Sequence, residues 1–114
     1  MDEWKDLKAA IKALAGVTRL SMVYHLAKQP EMTVTDLAEI LGLSQPLVSW
    51  HLRKLKRAGL AETRRVGRQV YCSLNTAYFH LCLQRLALLV DPTSRIETLP
   101  VGAALIEAEM SAEN

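Results

Sequence analysis

A chain of 114 residues, half of them apolar and 5% aromatic, is long enough for one domain with a modest core and too short for two. Two cysteines without a C-x-x-C pair signal neither a disulfide framework nor a zinc ribbon, and the most apolar run, 81–90, is too short and too interrupted by Gln84 and Arg85 to cross a bilayer. Charges interleave with Trp4, Leu7 and Ile11 over 1–12, unlike a signal peptide, so the cytoplasm is the expected location; the formal net charge is only +2.

Over 2–14, Trp4, Leu7, Ala10, Ile11 and Leu14 recur with the helical period, and Asp2, Glu3 and Asp6 stand where a helix dipole favours acids. Gly16 interrupts this first helix. Thr18 is expected to cap a second, carried by Leu20, Met22, Val23, His25 and Leu26 and stopped before Pro30. Residues 31–34 read as a connector able to pair briefly as a strand. Thr35 is expected to cap a third helix with Leu37, Ala38, Ile40 and Leu41 inward and Gly42 as its C-terminal stop.

Only Leu43 and Ser44 separate that stop from the next helix. Ser44 is a good N-cap, Pro46 falls in the first turn where its missing N–H has no cost, and Leu47, Val48, Leu52 and Leu55 recur at helical spacing. Two helices joined by so tight a glycine-containing turn read as a helix-turn-helix. After Ala58-Gly59-Leu60 the period changes to alternation, with strands expected over 60–64 and 69–74 around an Arg65-Val66-Gly67-Arg68 turn. Asn75 or Thr76 is expected to cap a last helix over 77–90. Its Tyr78, Leu81, Cys82, Leu86, Leu88, Leu89 and Val90 surround much of the circumference and call for cover by a second copy. Asp91-Pro92 ends it. The expected fold is mainly α with a small β-hairpin: a dimeric winged helix-turn-helix domain of about five helices over 1–92, then a C-terminal tail over 93–114 with room for a short helix at 101–110.

The small net charge conceals a segregation. Between Gln45 and Arg68 stand Arg53, Lys54, Lys56, Arg57, Arg64, Arg65 and Arg68 against the single acid Glu62, while the rest of the chain is net acidic. That points to a polyanion partner. The polar face of the helix after Ser44 offers Gln45, Ser49, Trp50, Arg53, Lys56 and Arg57, with Gln45, Ser49 and Trp50 expected near base edges and the cations mainly on phosphates of double-stranded DNA. Trp50 reaches a thymine methyl or packs on a neighbouring wing; both readings stay open. The ordinary reading of His51 is a surface histidine bonded to a nearby carbonyl. Nucleotide-loop, nucleophile-elbow and H-E-x-x-H motifs are missing, so an enzyme is not expected. The competing class is a protein-interaction module using the apolar last helix and the tail.

The run L-S-Q-P-L-V-S-W-H-L-R-K-L-K-R-A-G-L-A-E-T-R-R-V-G-R-Q-V-Y-C-S-L over 43–74 resembles the ArsR/SmtB family of winged-helix repressors, as does L-A-G-V-T-R-L over 14–20. The resemblance implies a homodimer joined through helices 1 and 5, with one recognition helix per subunit in successive major grooves of a pseudo-palindromic operator. It also implies repression of transcription until an inducer binds. Together with the polar face, it assigns DNA contact to Ser44, Gln45, Pro46, Ser49, Trp50, His51, Arg53, Lys54 and Arg57 on the helix and to Arg64, Arg65 and Arg68 on the wing.

The family's arsenic and lead sensors begin the third helix with C-V-C. Here Thr33, Val34 and Thr35 stand at those positions, and hydroxyls are poor ligands for soft ions. The zinc and cobalt sensors' fifth-helix pattern, placed on His80, falls on Tyr78, His80, Asp91 and Ser94, of which only two could ligate. No metal or cofactor is expected, and the inducer is unassigned. Cys72 and Cys82 raise the alternative of a redox- or thiophile-responsive regulator if strand and helix bring the thiols together; structural burial is the commoner outcome.

Overall fold

The computed structural model describes residues 2–93. The chain has five helices, α1 (Glu3–Leu14), α2 (Val17–Leu26), α3 (Val34–Leu41), α4 (Gln45–Arg57) and α5 (Thr76–Val90), and a small sheet of β1 (Met32–Thr33), β2 (Ala61–Val66) and β3 (Gln69–Leu74), among the described residues. The sheet is antiparallel in the order β1-β3-β2, with Met32 opposite Cys72 and Ala61 opposite Leu74. Residues up to Cys82 form one compact unit and those from Leu83 a second.

Within the first unit, helical periodicity becomes a buried core. Leu7, Ala10 and Ala13 of α1, Met22 and Leu26 of α2, Leu37 and Ala38 of α3, and Val48, Leu52 and Leu55 of α4 are buried together with Leu60, Cys72 and Cys82. Each fully buried aliphatic side chain contributes about 2 kcal/mol by leaving water. Ile40 and Leu47 depart from the expected pattern: both are exposed, because the two helices of the turn bury only a narrow stripe each.

The helix ends explain the local geometry and correct several expectations. The Asp2 carboxylate accepts from the backbone N–H of Trp4 at 3.0 Å and starts α1. Gly16, not Thr18, precedes α2, and no side chain caps it. Thr33, not Thr35, caps α3: β1 runs straight into the helix, and Thr33 Oγ1 accepts from the Asp36 N–H at 3.0 Å. Gly42 takes the left-handed conformation at φ 67°, which lets Leu43 N–H return to the Ala38 carbonyl at 3.0 Å and turns the chain into α4. Asn75, not Thr76, caps α5 through its side-chain oxygen and the Tyr78 N–H at 3.1 Å.

The hairpin is tighter than alternation alone suggested. Val66 pairs with Gln69, so Gly67 and Arg68 alone make the turn, with Gly67 at φ 60°. In the second unit, Leu83, Leu86, Leu88, Leu89 and Val90 are exposed along the remainder of α5, and the Asp91 carboxylate accepts from the backbone N–H and hydroxyl of Thr93. The short helix expected over 101–110 lies outside the described residues. Among those residues, no helix is long and apolar enough to cross a membrane.

Candidate nucleic-acid interface

The sequence of α4, QPLVSWHLRKLKR, contains no acid. Ser44 Oγ accepts from the Leu47 N–H at 3.3 Å, leaving the hydroxyl proton free to donate, and Pro46 sits in the first turn. With Val48, Leu52 and Leu55 buried, the opposite side of a 3.6-residue helix carries Pro46, Trp50, Arg53 and Arg57 as one outward stripe. Gln45, Ser49 and Lys56 flank it on the side of the wing, and Lys54 and His51 on the side of α2. Pro46, Gln45, Trp50, Arg53, Lys56 and Arg57 are exposed, and Ser49, His51 and Lys54 half-buried.

The wing is fastened to this helix. Lys56 Nζ donates to Thr63 Oγ1 of β2 at 2.9 Å, and a cleft of about 160 Å³ lies between α4 and the hairpin, lined by Ser49, Arg53, Lys56, Thr63 and Val70 among others. The three wing arginines, grouped together by sequence, differ in situation. Arg65 and Arg68 are exposed near the tip. The Arg64 guanidinium is ion-paired with the Glu31 carboxylate, with a second bond from Nε to Oε2 at 3.0 Å, and it lies 4.6 Å from the Tyr71 ring centroid. Hydrogen bonding from Arg64 holds the Glu31 carboxyl below its ordinary pKa, and the same bond raises that of Arg64. Of the charges assigned to DNA, this one already has a protein partner.

Sequence reasoning overlooked Arg19 as part of this surface. It projects from the first turn of α2 toward α4, 6.0 Å from the Trp50 ring centroid, and Lys54 Nζ lies 5.0 Å from the same centroid. The available signal was an arginine in a first helical turn that has no acid, where the dipole favours negative charge. His51 sits beside it. Burial lowers the His51 pKa and the Arg19 charge lowers it further; its Nδ1 is buried without a hydrogen-bond partner. The carbonyl bond considered for His51 is not made by that atom, and the Trp50 ring has Arg19, Lys54 and His51 about it.

The thiols lie inside. Cys72 is fully buried and donates to the Met32 carbonyl at 3.2 Å across the β1–β3 pairing, and Cys82 is buried in the same core. Both are free. Burial pushes the Cys72 thiol up to about 11, with the Glu31 charge adding to the shift, so at neutral pH it is a poor nucleophile and a poor metal ligand. This is contrary to what a thiol sensor needs. At the C-V-C positions, Thr33 Oγ1 is engaged as the α3 cap and Thr35 is exposed. Of the fifth-helix positions, His80 is half-buried, Asp91 is engaged by Thr93, and Ser94 lies outside the described residues. Among the described residues, no three His, Cys, Asp or Glu side chains gather as a metal group would require.

Comparison with known proteins agrees with this arrangement. The family model described as bacterial regulatory protein, arsR family, matches residues 16–63. A cadmium resistance transcriptional regulatory protein CadC homolog from Staphylococcus aureus is 40% identical over 70 residues, covering 61% of this chain and 58% of that one. The chain matches about half the length of such curated relatives. Among solved structures, HlyU from Vibrio cholerae is similar at a TM-score of 0.63 and 32% identity, over 75% of this chain and 97% of that one. A homodimeric winged helix-turn-helix DNA-binding domain from Mycobacterium bovis superposes at a TM-score of 0.62 and 26% identity, over 82% and 90%. With 32% identity over 97% of HlyU, and the family model falling on the segment that builds the helix-turn-helix, the chain belongs to the ArsR family of bacterial regulatory proteins.

Proposed function

We propose that this protein is a DNA-binding transcriptional repressor, a cytoplasmic regulator and not an enzyme, that acts as a homodimer on a pseudo-palindromic operator. The observation that carries the reading is the acid-free α4, with Pro46, Trp50, Arg53 and Arg57 outward, Gln45 and Ser49 beside them, and the wing fixed alongside by Lys56 and Thr63. A helix of this kind enters the major groove with its N-terminal residues on base edges, while the cations and the exposed Arg65 and Arg68 take phosphates. Family membership and the homodimeric relative support two copies per operator. Helices α1 and α5 supply the dimer contact in this reading, supported by exposed Trp4 and Ile11 on the first and exposed Leu81, Leu86 and Leu89 on the second. Two half-sites then lie about 34–36 Å apart, one turn of DNA.

The inducing signal does not use the family's usual metal positions, since Thr33 serves as a helix cap and Thr35 offers only a hydroxyl. A mobility-shift assay on DNA upstream of the protein's own gene, over a salt series and with competitor, tests the reading. A discrete complex that survives competitor and weakens steeply with salt is expected. Absence of any complex at low salt would overturn it.

A further inference from the structure

Three side chains close around the Trp50 indole. Lys54 Nζ and the Arg19 guanidinium carbon lie 5.0 and 6.0 Å from its centroid, and the His51 ring meets it edge-on at 5.0 Å with the planes at 77°. Lys54 and His51 belong to the same helix, but Arg19 crosses from α2. No acid stands in the first turn of α2 to pair with it, the helix dipole disfavours a cation there, and its Nε is buried without a hydrogen-bond partner. What the guanidinium does reach is the indole, a favourable cation–π contact. Cations on the α2 side thus fix a ring that is still 42% exposed in the middle of the outward stripe.

The face of the indole between Pro46, Arg53 and Arg57 is apolar and attracts no phosphate, for which the flanking cations are better suited. On the floor of a major groove, the apolar projection is the C5-methyl group of thymine. We propose that Trp50 is a specificity-determining residue of α4 that covers a thymine methyl in each half-site, and that Arg19 is the positioning residue that holds the indole there. This rests on the DNA-binding reading above. Arg19 acts through Trp50 and need not touch DNA.

The test uses the full chain and a duplex enriched by the wild-type protein from a randomised pool, with each thymine replaced in turn by deoxyuridine. Wild type should show one position per half-site where loss of the methyl lowers affinity about three- to fourfold, the effect of one buried methyl-sized group. W50A should bind the thymine and deoxyuridine duplexes equally. R19Q should reduce the ratio to under about twofold while its slope of log affinity against log salt stays at the wild-type value, and R19K should restore part of the ratio. Thermal melts of each variant separate these effects from loss of fold. Wild type indifferent to every methyl, or W50A as sensitive as wild type, would overturn the thymine assignment. An R19Q protein that keeps the ratio but loses about one unit of salt slope would make Arg19 a phosphate contact and overturn the positioning role. If no duplex is enriched at all, the DNA-binding reading itself fails and this inference with it.

Discussion

Arg64 and Glu31 are 33 residues apart in sequence, yet their side chains form a two-point ion pair that ties the base of the wing to the segment entering β1. Tyr71, directly across the strand pairing from Arg64, stacks against the same guanidinium. This divides the wing arginines: Arg64 is held by protein partners, and Arg65 and Arg68 are exposed near the tip.

That division is measurable as a salt dependence. R65A and R68A should each lower the slope of log affinity against log salt by about one, as loss of one phosphate contact does, whereas R64A should weaken binding with little change of slope. E31Q, by releasing the guanidinium, should steepen the slope relative to wild type. Equal loss of slope in all three arginine variants would show that Glu31 surrenders Arg64 to the DNA.

Gly59, at φ 84°, ends α4 in the left-handed region, and a Cβ there would lie 3.0 Å from the Tyr78 ring at the start of α5. G59A therefore meets two obstacles, an unfavourable backbone and a ring backed by the core, and should destabilise the protein by about 2–3 kcal/mol. G67A faces only the first, since nothing lies within 4 Å of its Cβ position, and should be the milder change at about 1 kcal/mol. Urea midpoints for the two variants decide it; equal losses would mean that Tyr78 yields freely.

Much of this architecture is legible in local chemistry. Ser44, Pro46 and Gly42 mark the turn of the helix-turn-helix because capping and left-handed φ are properties of single residues, and the buried stripe of α4 follows from spacing. What escaped is set by contacts distant in sequence. Thr33 displaces Thr35 as a cap because β1 pairs with β3 and delivers an extended backbone at Thr33. The ion pair of Arg64 and the approach of Arg19 to Trp50 likewise depend on elements meeting in space, which neither period nor composition encodes.

His51 carries a pH signature. Burial and the Arg19 charge both oppose its protonation in the folded chain, while the unfolded chain titrates near 6.5. Below that value the unfolded state binds a proton that the folded state resists, so stability is fully present above about 6.5 and falls on acidification. Wild type should lose more of its urea midpoint between pH 7.5 and 5.5 than H51Q does. Parallel profiles would remove His51 as the cause.

Cys72 provides the last test, because its thiol distinguishes a structural from a sensing role. Its folded-state pKa, pushed up to about 11, lies above that of an unfolded thiol, so the folded chain keeps a proton that the unfolded chain releases first. The stability gained is therefore complete below about pH 8.5 and is lost as pH rises toward 11, a loss that C72S should not show over the same range. Chemical accessibility should agree. With the sulfur fully buried and donating to the Met32 carbonyl, iodoacetamide at pH 8 should modify Cys72 and the buried Cys82 only once urea unfolds the protein. The C72S, C82S double variant should bind operator DNA as wild type does in the presence and absence of peroxide. Rapid labelling of either thiol in the folded protein, or release of DNA by peroxide in wild type alone, would return the pair to the sensing role that their burial argues against.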